Sequence, residues 1–224
     1  MAALSELQRV TPGAASAHAV RIAAAGSANH LHVRDLGTPV GSMAGPRDMD
    51  DFVHLLTALY GRQPGPIDVA LLRSPAGFVR AWLKEAADAF ERERLFLLRL
   101  SAAVGLMPST PGHAETHAAM LAQRHALETL ARSERHGCAL GMATALIGDW
   151  RGIRPLLEFA GRRVGCPVPP SSLPDETSIA AVLAELADAP AAERAVRFGA
   201  EQLLLQHRAL FDLLEARCDA REDF

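Results

Sequence analysis

Apolar positions in this chain recur with helical spacing over most of its length. From Phe78 to Val104, Trp82, Ala86, Ala89, Phe90, Leu97, Leu100 and Val104 share one stripe at about 100° per residue, which predicts a long amphipathic helix. Ser74 as cap and Pro75 as opener place its start slightly earlier. Upstream, Asp48, Asp50 and Asp51 favour a helix N-terminus, and Phe52, Leu55, Leu56 and Leu59 make its face. Gly61 and the Pro64-Gly65-Pro66 triplet end that helix, leaving a short segment around Leu71.

Gly105 and Pro108 close the long helix. Thr110-Pro111 opens another, running to about His136, and Gly137 permits a break. The next stretch carries Met142, Leu146, Trp150, Ile153, Leu157 and Val164, with Gly148, Gly152 and Pro155 predicting a kink or short interruption. Four prolines between Gly165 and Pro174 cannot continue a helix and read as an extended linker. Asp175 then caps a short helix to about Ala189, and Pro190 opens a last one to about Cys218. No strand-like alternation of useful length occurs. The fold expected is all-α: one bundle of about five to seven helices over residues 47–224. Residues 1–46, with helical patterns only at Leu4–Val10 and Ala14–Ala25 and a loop from Gly37 to Pro46, read as a partly ordered N-terminal extension.

Several of these apolar faces carry a polar residue. Glu93 falls near the centre of the Trp82–Val104 stripe. His207 sits amid Val196, Leu203, Leu210, Phe211 and Leu214, and Asp149 beside Met142, Leu156 and Ala160. On the helix to His136, Thr116, Gln123 and Glu134 lie on the apolar arc. A carboxylate so placed is costly unless protonated, paired or bound. Glu93, Gln123, Glu134 and His207 therefore form a candidate ligand-binding pocket inside a bundle.

The histidines at 113, 117, 125 and 136 look like a metal site, with His113 and His117 four apart. The HExxH motif is absent, however, and with His113 at 0° the others spread to roughly 40°, 120° and 140° on an arc shared with Arg124, Glu128, Arg132 and Arg135. They read as solvated. So do Arg151, Arg154, Arg162 and Arg163, a basic patch with Glu158 among them.

The 224 residues suffice for one large domain, and net charge −3 supplies no field toward nucleic acid or an anionic membrane. Lys84 is the only lysine, so no P-loop Gly-Lys-Ser/Thr exists. This Arg and Ala bias fits a GC-rich bacterial genome. Three scattered cysteines, 138, 166 and 218, fit reduced thiols, and no stretch has the apolar length of a membrane span, which predicts a cytoplasmic protein.

In architecture the chain resembles the ferritin-like di-iron proteins and the haem-oxygenase-like helical proteins. The Glu-x-x-His pairs of ferritin-like sites are missing altogether. The resemblance thus implies an arrangement of helices and carries no activity. Two functions follow. The favoured one is a non-enzymatic protein binding a small molecule or protein partner; the alternative is a metal- or cofactor-dependent, oxidative bundle enzyme with Glu93, Glu134 and His207 as ligands. The sequence identifies no cofactor. Amphipathic faces also bury against copies of themselves, which admits a homodimer.

Overall fold

The computed structural model describes residues 13–36, 45–186 and 189–222, and the Leu4–Val10 pattern and all but the end of the Gly37–Pro46 loop lie outside them. Every regular element among the described residues is helical. In chain order these are α1 (Ala14–Ala25), α2 (Leu31–Leu36), α3 (Pro46–Tyr60), α4 (Pro66–Arg73), α5 (Phe78–Val104), α6 (His113–Ala131), α7 (Cys138–Val164), α8 (Glu176–Ala184) and α9 (Pro190–Glu222), with one 3-10 turn at Ser27–Asn29. Seven of these helices, α3 to α9, make up the bundle, within the expected five to seven; α1 is the Ala14–Ala25 pattern of the N-terminal segment, and α2 is a short element without a long apolar stripe. None of the described helices is long and apolar enough to cross a membrane.

Local chemistry sets most boundaries. Pro46 and Pro66 open α3 and α4, where an amide proton would find no partner anyway. The Asp48 and Asp68 carboxylates accept from the backbone N–H groups of Gly45 and Gly65 just ahead of them. Ser74 ends α4 rather than capping α5, which begins at Phe78 after Gly77 at φ 141°. As expected, Asp175 caps α8, accepting from the Ser178 N–H at 2.7 Å. α6 stops at Ala131, short of His136. α7 runs unbroken through Pro155, since packing of Ile153, Leu156 and Leu157 outweighs the lost hydrogen bond.

α7 is the central helix, buried on several sides and packed against α9, α5, α6 and α4. Its approach to α9 is backbone on backbone. A Cβ on Gly141 would lie 2.0 Å from the Val196 carbonyl oxygen, and one on Gly199 2.0 Å from that of Cys138. Only glycine at both crossings lets the axes come this close. α3, α4 and α6 cover the remaining sides of α5 and α7. α1 and the 3-10 turn pack on α7, α8 and α9, so residues 14–36 sit against the bundle.

A buried charged cluster clamps one end. Arg217 donates from Nε and Nη2 to the two oxygens of Asp51, each at 2.9 Å, and from Nη1 to Thr116 Oγ1 at 3.2 Å. Arg221 joins Asp51, Asp48 and Thr110. Asp48 and Asp51, read from sequence as helix-dipole residues, thus fasten α3 to the end of α9.

Candidate functional site

Glu93 is 2% exposed, on the core side of α5. It is not isolated. Its Oε1 pairs with the Arg154 guanidinium and accepts from Ser171 Oγ at 2.9 Å, and its Oε2 accepts from Trp150 Nε1 at 3.2 Å. Arg154 also donates to the Pro169 carbonyl, and its guanidinium lies 5.1 Å from the Phe96 ring centroid. The proline-rich segment is therefore the cover of an internal ion pair, not a bare linker. A buried carboxylate paired and hydrogen-bonded in this way is a structural unit with little lone-pair capacity left for a ligand.

Arg154 corrects the sequence reading, which placed it on a solvated face. It is buried, whereas Arg162 is exposed and Arg163 reaches out to Asp50. The signal was available in the spacing: Arg154 follows Trp150 by four residues and so lies roughly 40° from it around α7.

His207 is 0% exposed, at the middle of α9's apolar face. Its Nδ1 lies 2.5 Å from Asp149 Oδ2, and its Nε2 bonds the Tyr60 hydroxyl. Asp149 also accepts from the Ser27 N–H at 2.7 Å and from the Ser27 hydroxyl. Burial, then the nearby Asp149 charge, raises the Tyr60 phenol well above its ordinary range. Tyr60 consequently keeps its proton and donates it to Nε2, which leaves Nδ1–H to donate to Asp149. Burial works to raise the Asp149 carboxyl, but the hydrogen bonds from His207 and Ser27 outweigh it and hold the group below its usual value.

The proton order Tyr60→His207→Asp149 has the form of a nucleophile–base–orienter triad. It has no substrate space, because all three side chains are buried and Tyr60 is enclosed edge-on by Phe90, Trp150 and His207. What the arrangement does is join α3, α7, α9 and the 3-10 turn through one chain of hydrogen bonds.

The four candidate residues separate into two groups. Glu93 and His207 belong to one buried cluster, since Trp150 bonds Glu93 and stacks edge-on at 5.5 Å with Tyr60, the partner of His207. Gln123 is buried on α6 with its Oε1 unpartnered. Glu134 is a correction: it lies past the end of α6 with its side chain 91% exposed, 3.8 Å from Arg73. The helical wheel put it inside only because the helix was drawn five residues too long. A ligand set of Glu93, Glu134 and His207 is accordingly not brought together. His113, His117, His125 and His136 are exposed, as their spacing predicted.

Open space lies at the surface instead. The largest cavity described, about 330 Å³, is a groove between the α4–α5 turn, the α6–α7 turn and the end of α8. Its apolar wall includes Phe78, Val79, Leu83, Leu140 and Leu186, and Arg73, Glu134, Arg135 and His136 stand along it. A second, about 250 Å³, lies where α1 ends beside α9, with Ser27, His30, Arg208, Asp212 and Glu215 in its wall. Sequence periodicity could not reveal either, because both are made from turns and helix ends.

Residues 22–222 match a family of unknown function, DUF6975, and the chain belongs to that family. No curated protein and no solved structure matches it.

Proposed function

We propose that this is a non-catalytic binding protein whose ligand, a small molecule with an apolar body and a polar end, lies in the groove between the α4–α5 and α6–α7 turns. The observation that carries this reading is the 330 Å³ groove itself, a volume in the range of small-molecule sites, walled by apolar side chains with a few charged groups beside them. Two of the internal candidates support it from the other side: Glu93 and His207 spend their hydrogen bonds on protein partners and have little left for a ligand.

Within the groove, Val79, Leu83, Leu140 and Leu186 would take the apolar body. Arg73 and Arg135 would meet the polar end. Their positions are held from outside the groove. Arg80 donates to the carbonyls of Leu71 at 2.6 Å and Ser74 at 2.7 Å, fixing the α4–α5 turn, and Arg135 stacks over Phe198 at 5.5 Å.

The test is titration with 1-anilinonaphthalene-8-sulfonate, an apolar probe with an anionic end. Saturable binding of one probe per chain, abolished by Val79→Trp, is the expected result. Unsaturable binding, or binding indifferent to Val79→Trp in a folded variant, would overturn the reading.

A further inference from the structure

His30, Asp212 and Glu215 come from two distant parts of the chain, and one donor atom from each lies within 4.8 Å of the others. Asp212 and Glu215 are three residues apart on α9, so they share a face. His30 arrives from the junction between the 3-10 turn and α2, its side chain 10% exposed and its Nε2 3.0 Å from Asp212 Oδ1. All three line the 250 Å³ cavity.

We propose that this cluster is a binding site for one divalent transition-metal ion, with zinc as its simplest occupant. It lies apart from the groove and is independent of the function proposed for it. One imidazole nitrogen and two carboxylates form a donor set that suits such ions and leaves coordination positions open to the cavity. Tetrahedral metal–donor bonds of about 2.1 Å put bound donors about 3.4 Å apart, so donors that lie within 4.8 Å of one another must close by at most about 1.4 Å to complete the site. Asp212 is 57% exposed and free to make that movement.

One further observation points to a cation. The C-terminal residues of α1, Ala24 and Ala25, line the same cavity, and the negative end of that helix favours positive charge. Arg208, also in the wall, opposes it and limits affinity.

Coordination rearranges one proton. Without metal, the His32 N–H donates to His30 Nδ1 at 3.2 Å, which leaves the imidazole proton on Nε2, facing Asp212. Metal on Nε2 moves that proton to Nδ1 and releases the long contact to the His32 N–H, a weak bond beside three metal–ligand bonds.

Calorimetric titration of the full chain with Zn²⁺ tests the site, with melting temperature read in parallel. One saturable site per chain and a Zn²⁺-dependent rise in melting temperature are expected. Asp212→Asn, Glu215→Gln and His30→Gln should each weaken binding at least about tenfold. Asp212 is exposed enough that its variant should fold normally without metal. The paired control His113→Ala with His117→Ala should bind as the parent does. Absence of a saturable site, equal binding by Asp212→Asn and Glu215→Gln, or loss of binding in the control would each overturn the proposal.

Discussion

His207 on α9 and Asp149 on α7 meet at 2.5 Å in an interior that excludes water from both. They are 58 residues apart in the chain and together bridge the two helices whose backbones touch at Gly141 and Gly199.

Removing the imidazole should be costly. His207→Leu leaves the Asp149 carboxylate and the Tyr60 hydroxyl short of partners, for a loss of about 3 kcal/mol or more in urea unfolding. Tyr60→Phe deletes only a neutral hydroxyl at the end of the chain and should cost about 1 kcal/mol. Equal losses for the two substitutions would show that the charged end is not what the imidazole supports.

The Glu93–Arg154 pair predicts strong non-additivity. Glu93→Leu strands a buried guanidinium, and a loss of about 3–5 kcal/mol is expected. Glu93→Leu combined with Arg154→Met removes both charges and should recover most of it. A double-mutant cycle in denaturant reads the coupling, and additive losses would contradict an ion pair at this place.

Gly141→Ala and Gly199→Ala test the α7–α9 contact. Each added methyl would sit 2.0 Å from a carbonyl oxygen of the facing helix, so the axes must part. Overpacking of this kind costs about 1–3 kcal/mol or more, enough to outweigh the gain of about 1 kcal/mol in helix propensity. A higher melting temperature for either variant would rule the contact out.

Acid should destabilise the fold through His18. Burial first, then the Arg21 guanidinium, lowers its imidazole from 6.5 to about 4. Between those values the unfolded chain binds a proton that the folded one refuses, so stability falls as pH drops. The contribution is complete above about pH 6.5 and lost by about pH 4, roughly 3 kcal/mol at most. His32 shifts the same way, again chiefly through burial. Unfolding free energies measured across this window should show a shallower slope for His18→Gln than for the parent.

Helical periodicity made much of the fold legible. α5 appears in the sequence as the Phe78–Val104 stripe, although Ser74 and Pro75 suggested an earlier start, and Asp175, Gly137 and Pro190 mark helix limits through backbone chemistry that acts over a few residues. α4 and α2 were hidden because one or two turns carry too few apolar positions to make a stripe. Glu93, His207, Asp149 and Thr116 were all visible as polar groups on apolar faces, since angle around a helix is a local property.

Partnership was not local. Nothing in the order of residues pairs Asp149 with His207, Asp51 with Arg217, or Glu93 with Arg154, because each pair spans 58 to 166 positions and depends on which helices cross. Patterning therefore determined which segments are helical and which polar groups must be compensated in the core. Only tertiary structure decided who compensates them, and it placed the open cavities at helix ends and turns, where three-dimensional convergence leaves no periodic trace.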